Sequence, residues 1–523
     1  MSTVKSNVVS GKLREKGNQH YKKGEFYEAM IQYNASICHA LPESKEMAVA
    51  YGNRSAIYVK SKLVVECIEN VKLARANGHK AENLLNSREE VCMEIMRNDD
   101  QQTKCIIWDF FKLSYPANEK MPFAVNNLEL RENEKYGRHV VTSTNLQSGD
   151  IIGIEEPFFN MISAPASCRY DRCCYCLKIN KLNLIPCTRC AAGKNHKDSV
   201  DHHFILIHLL SVMFCSEECQ KKETLHHNSR IPFCMPEHIR QDFSMVDESL
   251  KIAGSLNDLL GLIEEEPKTV FDFDFSDPDD PSRDKNLLIA VNSLFKGSSL
   301  PITWSDFEDQ LLTIISPDQM PQTKDKKNLM IEFIKNQERI RDANAFQMID
   351  YNYRDLPGVD FEAECSFKKI GSGIFPFTSL FNHSCYPNCF FVPVDNKMVL
   401  VVTRPIKAGE QIFLCYIGES FNLNYDERKK RVDDYNFVCD CIFCLEKLPL
   451  LDKLPRKSRR FIAPRYKVLS REAAIEKFKK NCKYIDKTPT DKPCYEVCTL
   501  IKHNCFLLSI IAGVICDGEK LKF

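Results

Sequence analysis

The chain has 523 residues, enough for several cores, and its 71 basic and 71 acidic residues leave no net formal charge. A hydrophobic share of 44% and a charged share of 27% are ordinary for a folded protein. Neutrality excludes a global attraction to nucleic acid or an anionic membrane, so specificity has to come from local sites. The opening Met1-Ser2-Thr3-Val4-Lys5 lacks the apolar centre of a signal peptide. The longest apolar stretches, 204–210 and 505–516, fall short of the roughly 18 residues that span a bilayer. These features predict a protein of the cytoplasm and nucleus that makes no membrane contact, and whose 25 cysteines stay reduced. Nine of those cysteines fall between Cys168 and Cys234 and three between Cys439 and Cys444. In a reducing compartment such clusters read as zinc sites.

The stretch 10–98 predicts helices. Gly17-Asn18 and Gly52-Asn53 stand 35 residues apart, each followed by aromatic and alanine positions: Tyr21, Ala29 and Tyr33, then Ala56 and Tyr58. The period resembles tetratricopeptide repeats, helix pairs that bury their faces on one another. Arg14, Asn18, Tyr21 and Asn53, with Arg88, stand where related repeats clamp the terminal carboxylate of a chaperone tail. From 123 to 162 the signal turns to strand, with Val140-Val141 and Ile151-Ile152-Gly153-Ile154 flanking a turn at 147–150. Residues 238–345 have helical periodicity, interrupted by an acidic loop at 264–284. Strand signals return over 370–417, a basic stretch covers 456–465, and helical sequence runs on to Phe523.

The first cysteine cluster pairs as Cys173-x2-Cys176, Cys187-x2-Cys190 and Cys215-x3-Cys219, followed by His227 and Cys234. A short Cys-x-x-Cys turn presents two thiolates to one ion, and eight ligands make two tetrahedral sites. The segment 214–234 resembles a MYND zinc finger. That resemblance implies interleaving: Cys173, Cys176, Cys215 and Cys219 on one ion, with Cys187, Cys190, His227 and Cys234 on the other. His226 is an alternative to His227. The gap between Cys190 and Cys215 is unusually long. Its segment 193–213 reads either as translated intron or as a loop of this chain, and is expected to be dispensable for folding.

The sharpest motif runs through Gly373-Ile374-Phe375-Pro376 and Asn382-His383-Ser384-Cys385-Tyr386-Pro387-Asn388. It continues with Ala408-Gly409-Glu410, Cys415-Tyr416, and Tyr435-Asn436-Phe437-Val438-Cys439-Asp440-Cys441-Ile442-Phe443-Cys444. This ordered set resembles the SET domain of lysine methyltransferases with its cysteine-rich post-SET segment. With the finger inserted, it is similar to the tetratricopeptide-bearing subgroup of the SET and MYND domain family. The implied fold is α+β and multidomain: repeats over 10–98, a SET domain over 123–420 split by a finger at 173–234, and a helical insert at 238–345. A post-SET segment at 421–446 and a shortened helical C-terminal region at 447–523 complete it.

The resemblance also implies S-adenosylmethionine as cofactor. Lys135, Tyr136 and Gly137 would lay backbone against it, Asn344, Asn382 and His383 would give polar contacts, and Phe437 would pack on its adenine. Tyr416 would bridge cofactor and catalysis, while Tyr435 and Phe375 would line a lysine channel. A free lysine has a pKa of about 10.4, so an aromatic channel that disfavours the ammonium helps to free its lone pair. Cys385, Cys439, Cys441 and Cys444 would hold a third structural zinc. The expected activity is methylation of lysine on histone or non-histone proteins in transcriptional regulation, without sequence-specific nucleic-acid binding. The alternative is a catalytically weak adaptor or corepressor that recruits partners through its repeat and MYND surfaces.

Overall fold

The computed structural model describes residues 5–98, 107–162, 170–178, 182–188, 212–222, 237–264, 266–297, 321, 323–352, 366–467, 469–513 and 515–516. They form two compact units, one from 1–104 and 161–240, the other from 105–160 and 241–517. No helix among the described residues is long and apolar enough to cross a membrane.

In the first unit, α1 (Asn7–Lys22), α2 (Phe26–His39), α3 (Lys45–Lys60), α4 (Val64–Ala76) and α5 (Glu82–Asn98) pack successively. Ser6 caps α1 and Ser44 caps α3, each accepting from an amide three residues on. The 35-residue spacing of Gly17 and Gly52 has a steric cause. A Cβ on Gly17 would lie 2.5 Å from the Tyr33 ring, and one on Gly52 would lie 2.8 Å from His79 Nε2. Each glycine lets an aromatic ring seat against its helix, from α2 in the first case and from the turn after α4 in the second.

Arg54 on α3 is fully buried. It donates to Asn70 Oδ1 (2.6 Å), Asn34 Oδ1 (2.8 Å), Leu184 O (2.7 Å) and Asn183 Oδ1 (3.1 Å). Asn34 donates to Tyr170 O and Leu182 O. A buried polar network therefore fastens the cysteine finger to the helices. Removing the guanidinium would leave several buried acceptors unmet.

The finger itself is braced by a short hairpin, Ile185–Pro186 against Met213–Phe214. This corrects the expectation that all of 193–213 is dispensable. Met213 is fully buried in the helical core, its carbonyl accepts from Cys174 N (2.8 Å), and Val212 O accepts from Cys187 N (3.1 Å). Residues 193–211 lie outside the described residues.

In the second unit, β1 (Leu128–Asn133) and β2 (Gly137–Thr142) form an antiparallel hairpin. β3 (Ile151–Glu155) instead joins the strand Lys397–Val402, which pairs with Cys389–Val394. The turn at 147–150 thus carries the chain from one sheet to another, and the strands it flanks do not pair with each other. The helices Arg471–Asp486 and Tyr495–Ile511 cover the three-stranded sheet, with Phe478, Phe506, Leu507 and Ile510 packed on Val392, Val394, Val399 and Val401. That cover explains the apolar run near 505–516, which buries nearly every face of the second helix.

Glu155 ends β3 fully inside the core. It accepts from Phe377 N (2.7 Å), Thr378 N (2.8 Å) and Thr378 Oγ1 (2.7 Å), pinning the turn that leads to Asn382. Burial pushes its carboxyl up to about 7, against the pull of the three donors. With a folded pKa above the unfolded one, its contribution to stability is fully present below about pH 4.5 and is lost as pH rises through about 7. Glu155→Ala strands three buried donors and should cost about 2–4 kcal/mol. It should also flatten the fall in stability between pH 5 and 8, by about 1–3 kcal/mol. Denaturant titrations of both chains across that range check this, and a variant with unchanged stability at every pH would contradict it.

Candidate active site

Three segments of the second unit meet around Tyr416. The first is the β1–β2 turn, where Asn133 Oδ1 accepts from Lys135 N (3.0 Å) and Tyr136 N (2.8 Å) and so folds the chain back. Gly137 closes it at φ +59, and a Cβ there would meet nothing within 4 Å, so the backbone has open space beside it. The second is Asn382–His383, hydrogen-bonded in parallel with Phe413–Leu414. Asn388 serves as a buried clamp between these strands, donating to Gln411 O (2.9 Å) and accepting from Phe413 N (2.7 Å). Asn382 Nδ2 reaches Tyr136 O (3.1 Å) and Arg138 O (3.3 Å), tying the second segment to the first.

His383 joins the site to the cysteines. Its Nδ1 accepts from Tyr416 N (2.9 Å), so the ring proton lies on Nε2, which faces Cys385 Sγ at 3.2 Å. Both ring nitrogens are therefore engaged within the protein, and what the residue turns to a ligand is its ring face and main chain. The Tyr416 hydroxyl donates to Phe381 O (2.6 Å), which leaves its oxygen lone pairs to accept. Burial, and then the neighbouring Tyr435 phenol, push the Tyr416 hydroxyl well above its usual range, so it stays neutral. Around it lie Tyr435 (ring centroids 5.2 Å apart), His383 (5.3 Å) and Phe437 (6.4 Å).

The third segment is the post-SET knuckle. Cys385, Cys439, Cys441 and Cys444 place their sulfurs within 4.8 Å of one another. Zn–S bonds of about 2.3 Å in a tetrahedron need sulfurs about 3.8 Å apart. The observed Cys385–Cys444 and Cys385–Cys439 distances, 3.6 and 4.0 Å, fit that requirement. Cys173, Cys176, Cys215 and Cys219 form a second such group in the first unit, with Cys176–Cys215 and Cys215–Cys219 at 3.5 Å. Cys187 is buried beside Gln220, while Cys190, His227 and Cys234 lie outside the described residues.

Two further predicted residues lie apart from the Tyr416 cluster. Asn344 spends both amide hydrogens on Phe295 O (2.8 Å) and Ile340 O (3.0 Å), so that only its Oδ1 could serve a ligand. Phe375 is fully buried with its ring 5.9 Å from Phe346, in an aromatic core that continues to Phe391.

Sequence reasoning passed over two residues that hold the site. Asp440 accepts from Tyr136 OH (3.2 Å) and pairs with the Lys135 ammonium, drawing the knuckle onto the β1–β2 turn. Arg428 is fully buried and donates to Leu423 O (2.5 Å), Phe443 O (2.9 Å) and Leu448 O (2.9 Å), fixing the chain around Cys441 and Cys444. Asp440 had one signal, its place between two ligands. Arg428 had none, because its acceptors are carbonyls.

The SET domain family model matches residues 137–417, more than half of the chain. The chain belongs to the SET domain family. Over 85% of its length it is 19% identical to the protein-lysine N-methyltransferase SMYD4 of Danio rerio, and over 82% it is 19% identical to that of Homo sapiens. A 78-residue stretch, 15% of the chain, is 41% identical to the histone-lysine N-methyltransferase SMYD3 of Mus musculus. The chain spans 66% of the length of each of those SMYD4 proteins, and the matched stretch spans 18% of that SMYD3. These likenesses set it beside the SMYD proteins within the family.

The Cys385 group makes a direct prediction. Cys441→Ser should release one equivalent of zinc relative to the parent chain and lower the melting temperature, because metal binding and local folding are one equilibrium there. Elemental analysis and a thermal melt check it, and unchanged metal content would remove zinc from this group.

Proposed function

We propose that the chain is an S-adenosylmethionine-dependent protein-lysine N-methyltransferase. The observation that carries this reading is the Tyr416 hydroxyl. It is held by Phe381 O with its oxygen free to accept, among Tyr435, His383 and Phe437. The names of its SMYD relatives point the same way.

The residues suit such a cofactor. Aromatic faces tolerate a sulfonium, and the open side of Gly137 admits a close backbone approach. Gly137, Asn382, His383 and Asn344 would hold it, and Phe437 would flank its adenine. When bound, S-adenosylmethionine supplies an electrophilic methyl group. Tyr416 and Tyr435 line a channel that disfavours a charged ammonium, so the target lysine enters its neutral form more readily. The Tyr416 oxygen then accepts from the amine and fixes its lone pair in line, an effect of orientation and preorganised electrostatics. Being neutral, Tyr416 acts by position and not as a base.

Three structural zinc ions are part of this reading: one on Cys385, Cys439, Cys441 and Cys444, one on Cys173, Cys176, Cys215 and Cys219, and one on Cys187, Cys190, His227 and Cys234. The first two sets draw support from the proximity of their sulfurs. The five N-terminal helices serve as tetratricopeptide repeats that recruit a partner. Asn18, whose Oδ1 accepts from Asn53 (2.8 Å) and Tyr33 (2.9 Å), stands with Arg14 and Arg88 as a receptor for a chaperone-tail carboxylate.

Tyr416→Phe keeps the ring and removes one hydroxyl. Methyl transfer from labelled cofactor into cell extract should fall by at least about 10²-fold, while calorimetric cofactor affinity stays within about twofold. His383→Ala removes the acceptor beneath the Tyr416 amide and should also lower turnover. A Tyr416→Phe chain that labels protein at the parent rate overturns the role of Tyr416. A parent chain that binds cofactor and labels nothing overturns the enzyme reading in favour of the adaptor.

A further inference from the structure

The neutrality of the whole chain conceals a segregation of charge. Residues 453–492 hold fourteen lysines and arginines against four acids, so this short region carries a net +10 and the rest of the chain a net −10. Most of these cations are exposed: Arg459, Arg460, Arg465, Lys480, Lys483 and Lys487 all lie open to solvent. The observation stands apart from the methyltransferase reading, which uses no residue of this region.

The fold holds the charge in place instead of neutralising it. Residues 461–467 have no regular secondary structure, yet the stretch around them is fastened along its length. Lys457 N and Ser458 N both donate to Glu496 Oε1 (2.9 and 2.8 Å). The Arg456 guanidinium lies 3.8 Å from the Tyr495 ring centroid, and Phe461 packs against Tyr484 (5.9 Å) and Tyr495 (6.0 Å). Further on, Tyr466 packs on Phe506 at 5.3 Å and on His503 at 5.5 Å. Beside these packed aromatic side chains, Arg459, Arg460 and Arg465 are exposed. Through the Phe461–Tyr484 contact, Arg459 and Arg460 adjoin the lysines of the helix Arg471–Asp486. The same tyrosine remains 38% exposed in the middle of the patch.

The chain turns at Ser458–Phe461, where Phe461 N donates to Ser458 O (3.4 Å), so Arg459 and Arg460 project from a turn and Arg465 and Lys467 from the irregular stretch that follows. The phosphates of duplex DNA present one negative charge per about 1.7 Å of axis. A folded protein's acidic patch offers discrete carboxylates and rewards matched pairs, whereas a fixed group of cations matches a regular polyanion. A lysine-rich substrate tail is excluded by like charge. We infer that this stretch and the adjoining helix face form a docking surface for the phosphate backbone of duplex DNA, without base readout.

The test uses the full chain and a fluorescently labelled 25-base-pair duplex, followed by anisotropy as salt is varied. The parent chain should bind with an affinity that falls steeply with salt. Arg459→Glu, Arg460→Glu, Lys480→Glu and Lys483→Glu together should weaken binding at least about 10-fold and reduce the salt slope by about 3–4. Neutralising the same four positions to Gln should give a smaller loss in the same direction, which guards against a reversed chain that misfolds. Reversing Lys12, Lys16, Lys22 and Lys23 on the first unit should leave binding within about twofold. Absence of binding, an equal loss from both sets of reversals, or displacement of DNA by an equal charge concentration of polyglutamate would each overturn the proposal. The last outcome would assign the surface to an acidic protein.

Discussion

Tyr416 keeps its place because its amide donates to the imidazole of His383, and that imidazole turns its other nitrogen to Cys385. Everything else in the site hangs from this short chain of hydrogen bonds. Fixing Cys385 fixes the tautomer and plane of His383, and the plane of His383 fixes where the backbone of residue 416 can run. The hydroxyl end is fixed independently by Phe381 O. A phenol held at both ends loses little freedom when a ligand arrives, and this is the condition under which one hydroxyl can contribute strongly to orientation.

The surroundings serve that chain by satisfying buried polar groups. Glu155 ties down the turn before Asn382, Asn388 clamps the two short parallel strands, and Arg428 gathers three carbonyls around the knuckle. None of the three is positioned to touch a substrate. Each acts by leaving no favourable alternative path for the backbone, since an unmade bond in the core costs about 1–3 kcal/mol. Arg54 does the same in the first unit, where it makes the helices and the cysteine finger one body.

Much of this was legible in the sequence, and the reasons differ by residue. Cys385 stands more than fifty residues from its three partners; the triplet Cys439, Cys441 and Cys444 showed that a tetrahedron lacked one ligand, and the resemblance to SET domains pointed to Cys385, which the fold brings to them. Gly17 and Gly52 stood out in the sequence, and a Cβ at either would collide with Tyr33 or His79. The pairing of β3 was not legible: a turn with Gly149 reads as a hairpin locally, but the strand finds Lys397–Val402, some 250 residues away. Long-range pairing is decided by the core, and local pattern carries no trace of it. The role of His383 was hidden too, because a histidine in a motif suggests a ligand contact and gives no hint that both nitrogens face inward.

The central claim is that the Cys385 group, His383 and Tyr416 act as one unit in methyl transfer, and it is open to a single experiment. Zinc is withdrawn gradually with a chelator while alkylation of Cys439 and Cys444, read by mass spectrometry, reports the opening of their site. Residual transfer of labelled methyl is measured on the same samples. The account predicts that activity falls in proportion to the fraction of chains alkylated at Cys439 and Cys444. Full transfer by chains in which both cysteines are already alkylated would contradict it.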